Sequence, residues 1–128
     1  MTTFNRDKNV GVWFDIPVAD LDRAASFYRH VLSNNVSIES FENFRFAVLE
    51  HQDGNGGCLV ERPDEVTSNQ GILLYLNVHG RIREAVAKVT DNGGEIINDV
   101  HPIGPHGFRA IIRDSEGNRL ALHSESDE

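Results

Sequence analysis

Glu61 and His123 are the two kinds of side chain that exchange protons near neutral pH, and Tyr75 adds a hydroxyl that can donate or accept. Acid–base work is one use of such residues. Structural hydrogen bonding is the more frequent one, and the sequence leaves both open. His101 and His106 flank the segment PIGP, five residues apart in a loop. That is a poor spacing for a metal pair. The loop runs into a predicted strand, which makes His106 a candidate ligand contact. His30 reads as a helix-surface residue and His51 as a loop residue. Cys58, the one cysteine, alternates out of phase with Glu61. It is expected on the other side of its strand as a buried, inert thiol. GNGG at 54–57 precedes a strand and reads as a hairpin turn, not a phosphate cradle.

Charge narrows the partners. Asp and Glu number 20 against 12 Lys and Arg, a net charge of −8. Nucleic acid, which is held by neutralising phosphates, is not an expected partner. The acidic balance suits a cationic ligand but is first a solubility feature. No apolar run reaches the ~20 residues of a membrane helix, and residues 1–11 lack the apolar core of a secretory leader. A single cysteine fits a reducing, cytoplasmic setting.

What must position these side chains is a repeat. VWFDIPV at 12–18 runs into the helical pattern DLDRAASFYRHVL at 20–32. ILLYLNV at 72–78 runs into RIREAVAKVTDN at 81–92. Val18 lies over Val78 and Arg23 over Arg83, sixty residues on, and GGCLVERP at 56–63 lies over EGNRLALHS at 116–124 with Gly57 over Gly117. Leu21, Ala24, Ala25, Tyr28, Val31 and Leu32 recur at helical spacing, and Asp20 is placed to cap them. Three strands are predicted after each helix: 36–41, 44–50 and 57–61, then 95–100, 107–113 and 118–123. The whole is an α+β chain of two tandem βαβββ modules. Module one spans about 11–62, a polar linker 63–71, module two 72–124 and an acidic tail 125–128. One βαβββ unit leaves a sheet face bare, so two units are expected to curve around a cleft.

IPVADLDRAASFYRHVL at 16–32, AVAKVTDNGGEI at 85–96 and RDSEGNRLALHS at 113–124 resemble the vicinal oxygen chelate superfamily. That group holds glyoxalases, extradiol dioxygenases and the bleomycin- and fosfomycin-resistance proteins. Trp13 to Val18 together with Gly117 to Ser124 is similar to a glyoxalase-related subgroup without an established reaction. The resemblance implies paired modules, a homodimer and a small-molecule ligand. Metal-dependent members place ligands in the first and last strand of each module. Those points fall on Trp13, Glu61, Leu73 and Ala121 here, as two pairs sixty apart. Three of the four carry no suitable lone pair. No metal and no other cofactor is therefore expected, a divalent ion being the alternative.

Strand alternation then names a cleft lining. Trp13 brings Asp15 to one face, Leu73 brings Tyr75 and Asn77, and Ala121 brings Arg119 and His123. With Glu61 these make an aromatic and apolar wall carrying a few polar groups. Asp15 and Arg119 are of opposite charge and are candidates for a structural pair. The first function implied is metal-independent binding of a small organic molecule. The alternative is a lyase, isomerase or dioxygenase-like enzyme acting on a small carbonyl or oxygenated compound through Glu61, His123 and Tyr75, or through a metal.

Overall fold

The computed structural model describes residues 9–128. Residues 1–8, part of the segment read as lacking a leader, lie outside the described residues. Module one runs β1 (Trp13–Val18), α1 (Leu21–Leu32), β2 (Val36–Phe41), β3 (Phe44–Leu49) and β4 (Gly56–Glu61). Module two runs β5 (Tyr75–Asn77), α2 (Ile82–Asp91), β6 (Glu95–Pro102), β7 (Phe108–Arg113) and β8 (Arg119–Ser124). Each forms a four-stranded sheet, ordered β1-β4-β3-β2 and β5-β8-β7-β6. The first strand of each module lies parallel to its last, and the other pairs are antiparallel. This is the α+β architecture of two βαβββ modules.

Alternation decides which face is covered. Ile16, Val18, Ala47, Leu49 and Leu59 are buried with Leu21, Ala24, Ala25, Phe27, Tyr28 and Val31 of α1. Leu76, Val78, Ala110, Ile112, Leu120 and Leu122 are buried with Ile82, Ala85, Val86 and Val89 of α2. The two helices also pack on each other, so one core joins both modules. Full burial of a side chain of this size is worth about 2 kcal/mol.

Three carboxylates meet the start of α1. Asp20 caps it, its side chain accepting from Arg23 N at 3.0 Å. Glu61 Oε2 accepts from Leu21 N at 3.0 Å. Glu116 Oε1 accepts from Ala19 N and Asp20 N at 3.0 and 2.9 Å, and both its oxygens take the Arg23 guanidinium. These acceptors satisfy N–H groups that a helix start leaves unpaired, at the end where negative charge is favourable. Glu116 belongs to the β7–β8 turn, and its side chain is fully enclosed. The same turn buries Asp114, which accepts the Tyr28 hydroxyl at 2.5 Å, and Asn118, whose Nδ2 donates to Pro17 O at 2.7 Å. Gly117 permits the turn with φ +96, a value that costs a side-chain-bearing residue dearly.

The repeat is less uniform than a constant offset of sixty. Ile16 is partnered by Leu59, and Leu76 by Leu122. Ala47 lies opposite Leu59, and Ala110 opposite Leu122. The first strands therefore correspond at sixty, whereas the third and last strands correspond at sixty-three. The buried positions of the helices, Leu21 with Ile82 and Tyr28 with Val89, correspond at sixty-one. Extra residues in module two's connections accumulate along the chain. Gly117 thus matches Gly54, not Gly57, and each donates the N–H of an i to i+3 turn bond, to Asp114 O and His51 O respectively. Gly57 serves another purpose: a Cβ there would meet the Phe14 ring at 2.4 Å.

β5 is three residues long where seven were expected. The cause is the linker. Arg119 N donates to Thr67 O, so the linker takes the backbone donor of β8 that a longer β5 would have used, and the Arg119 side chain reaches Gly71 O. Asp15 and Arg119 do not pair either. Cys58 donates to Asp15, and Arg119 turns to the linker.

Burial pushes the Glu116 carboxyl up, but hydrogen bonds from Arg23, Asp20, Ser115 and Ala19 together hold it below its ordinary value of 4.5. A depressed carboxyl stabilises the fold above 4.5, and that contribution disappears as pH falls through the folded value. Glu116→Gln is expected to cost about 3 kcal/mol at pH 7, read by urea denaturation, with the gap to wild type narrowing below pH 4.5. A cost that is small, or equal at pH 7 and pH 3, would refute the clamp.

Candidate functional site

The uncovered face of module two carries the polar side chains. Tyr75 and Asn77 point there from β5, opposite Ala121 and His123 of β8, and β7 adds Arg109 opposite His123. With Ile103, Leu76 and His106, the side chains of Tyr75, Asn77, Arg109 and His123 line an open cavity of about 520 Å³. Tyr75, Asn77, His106 and His123 of the expected lining are therefore brought together. The Tyr75 and His123 rings sit 6.2 Å apart. His123 Nε2 lies 2.7 Å from the His106 carbonyl. A carbonyl can only accept, so Nε2 carries the proton and Nδ1 is the lone-pair nitrogen of the neutral ring. Ala121 is fully buried beneath this surface, and Leu73 stands before the strand.

The remaining predicted residues lie elsewhere. Trp13 lines a different cavity, of about 540 Å³, on the uncovered face of module one with Phe41, Phe44, Phe46 and Glu39. His51 packs edge-on against Trp13 at 5.5 Å. Asp15 and Arg119 line a third, smaller space of about 160 Å³. The expectation that Glu61 shares a face with Trp13 is corrected. Trp13 is registered with Gly56, so the uncovered face takes positions 56, 58 and 60 of β4, and Glu61 falls with buried Leu59 on the helix side. Its counterpart in module two is Ser124, whose Oγ accepts from Gly80 N at 3.0 Å just before α2. Cys58, expected on the opposite side from the cleft residues, instead shares the face of Trp13 and Asp15. It is buried and donates to Asp15 Oδ1 at 3.3 Å.

Arg109 is the residue that sequence reasoning missed. Its Nε donates to His101 Nε2 at 3.0 Å, an Nη1 proton goes to the Tyr75 hydroxyl, and its charge lies 5.9 Å from the Tyr75 ring centre. The signal was available. In GFRAIIR, buried Ala110 and Ile112 put Arg109, Ile111 and Arg113 on the uncovered face.

The donor set does not match a divalent ion. At the four points carried over by resemblance stand Trp13, Glu61, Leu73 and Ala121. They no longer form two pairs, because Ala121 corresponds to Cys58 in the register above. Among the described residues, no group of three or more His, Cys, Asp and Glu side chains lies close enough to hold a metal. Three or four such donors are what a bound ion ordinarily requires.

Residues 12–122 match the Glyoxalase/Bleomycin resistance protein/Dioxygenase superfamily. The chain belongs to this superfamily. It is 27% identical over 115 residues to a glyoxylase-like domain-containing protein of Didymella fabae, covering 84% of this chain and 88% of that one. Its fold matches a glyoxalase/bleomycin resistance protein/dioxygenase family enzyme from Burkholderia phytofirmans PsJN with TM-score 0.67 at 16% identity, covering 88% and 95% of the two chains. It also matches a mutant fosfomycin resistance protein from Listeria monocytogenes, solved with Mn(II) and 1S,2S-dihydroxypropylphosphonic acid. There the TM-score is 0.67 at 13% identity, covering 91% and 92%. Among the described residues no helix is long and apolar enough to cross a membrane.

Burial first, then the hydrogen bond and negative charge of Asp15, pushes the Cys58 thiol up to about 12. The thiolate is the reactive form. Native protein at pH 8 is expected to react with an aromatic disulfide reagent at least ~100-fold more slowly than urea-unfolded protein. Equal rates would show that the thiol is accessible.

Proposed function

We propose that this chain binds a small organic molecule in the cavity on the uncovered face of module two, without a resident divalent metal. The observation that carries the reading is the convergence of Tyr75, Asn77, His106, Arg109 and His123 on one space of about 520 Å³. An apolar floor with a few directed polar groups is the usual make-up of a ligand pocket. The Listeria relative, which shares the fold, was solved with a small organic phosphonate. The sparse donor set supports metal independence.

A second reading is an enzyme of the same superfamily, a lyase or isomerase acting on a small carbonyl or oxygenated compound. The lone pair at His123 Nδ1 favours it. An imidazole lone pair can act as a general base, and the Tyr75 hydroxyl beside Arg109 is of the type that steadies a developing oxyanion. Glu61, committed to the start of α1, stands outside this arrangement.

We also read the protein as a cytoplasmic homodimer. On module one Phe41 is 67% and Phe44 39% exposed beside Glu39, whereas module two's face presents Arg109 and imidazoles. The exposed phenylalanines of module one are the kind of apolar patch that a second copy covers. The lone buried thiol suits a reducing compartment.

Elemental analysis of protein purified without chelator is expected to find no stoichiometric metal, and Ni, Zn, Mn, Fe and Co ions are expected to leave the melting temperature unchanged. Stoichiometric metal that raises the melting temperature would overturn metal independence. Phe44→Asp is expected to halve the mass read by light scattering. A wild type already at the chain mass would remove the dimer.

A further inference from the structure

Arg109 is set apart from the chain's other described arginines by what it touches. Arg23, Arg45, Arg62, Arg81, Arg83 and Arg113 each pair with an Asp or Glu carboxylate. Arg29 and Arg119 donate to backbone carbonyls. The side chain of Arg109 donates to two neutral side chains, the Tyr75 hydroxyl and the His101 imidazole.

His101 is neutral in this arrangement. Its Nδ1 lies 2.8 Å from the Asp99 carbonyl and must donate there, so Nε2 is the acceptor that receives Arg109 Nε. The contact fixes the guanidinium without cancelling its charge. Two of its five N–H groups are used, which leaves three. No Asp or Glu lines the cavity, and the Asn77 amide and the His106 ring stand beside the guanidinium, while the one N–H of His123 is spent on the His106 carbonyl. The chain carries −8 overall, yet among the described residues no carboxylate pairs with the Arg109 guanidinium at this cavity.

We infer that the ligand of this cavity is a small organic anion. A carboxylate or phosphonate head sits on the Arg109 guanidinium, and its apolar body lies against Ile103, Leu76 and the Tyr75 ring. The inference rests on the binding reading above and deepens it. The planar fork of Arg matches both oxyanions, and two parallel N–H···O bonds to one head add strength and geometric specificity. The sign is the reverse of what net charge alone suggests, because the lining and not the total charge meets the ligand.

The test uses aromatic probes matched in shape and differing in charge: phenylacetate against phenylacetamide, with phenylphosphonate as the second oxyanion. Amide shifts are followed by NMR across a titration of the full chain. Phenylacetate is expected to bind about tenfold more tightly than phenylacetamide, moving the amides of Tyr75, Asn77, Arg109 and His123. R109Q is expected to bring the two probes to the same affinity. Should R109Q fail to fold, R109K, which keeps the charge and loses the fork, is expected to retain a reduced preference. Phenylphosphonate bound in place of phenylacetate would still support the anion and name the head group. Equal binding of acid and amide by wild type would overturn the inference and leave the binding reading standing. No binding by any probe would overturn both. An acid preference that survives R109Q, or an R109Q that splits a dimer while leaving the preference intact, would overturn the role given to Arg109.

Discussion

The start of α1 is the point on which the two modules agree. A helix begins with unpaired N–H groups, and here they are answered by side chains from three separate places. Asp20 is local, Glu61 ends module one's sheet, and Glu116 comes from module two. The same turn that supplies Glu116 buries Asp114 against Tyr28, in the middle of α1's packed face. Burial pushes the Asp114 carboxyl up, against the pull of hydrogen bonds from Tyr28 and Asn118. Removing one partner would leave the other polar group buried and unanswered, which is why such a network locks one arrangement. The relative placement of the sheets, and so the shape of each uncovered face, follows from this junction.

Element order was legible because hydrophobic periodicity is a strong local signal. The two helices, the Asp20 cap and seven of the eight strands fall close to their expected places, and the superfamily match supports the family resemblance. β5 was overestimated. ILLYLNV reads as a long strand, and nothing local reveals that the polar linker will take the β8 donor it needs. Side-chain phase was legible within a strand but not between strands. An offset of sixty holds on the first strands, and the match of Gly57 with Gly117 extends it to the last ones, where the register is sixty-three. Three residues of drift turned Glu61 to the helix side and Cys58 to the uncovered one. A phase error of one residue inverts every side chain on a strand, so a small error in a repeat becomes a complete error in a site.

The two uncovered faces have parted in character. Module one's is aromatic, with Trp13, Phe41, Phe44 and Phe46 beside Glu39. Module two's is nitrogen-rich, with Arg109 and imidazoles over Leu76 and Ile103. Their scaffolds are the same, so the divergence lies in the outward alternation positions. Those positions contribute little to the core, and substitution there changes chemistry at small cost to the fold.

The bond from Ala19 N to Glu116 spans 97 residues. Such a contact delays folding, since the loop must close before its reward is collected. On a ribosome, α1 and its own cap at Asp20 emerge early, but the N–H groups of Ala19 and Asp20 do not meet Glu116 until the last hairpin has been made. The two units are therefore unequal partners: one supplies the approach to a helix, and the other supplies the carboxylate that receives it.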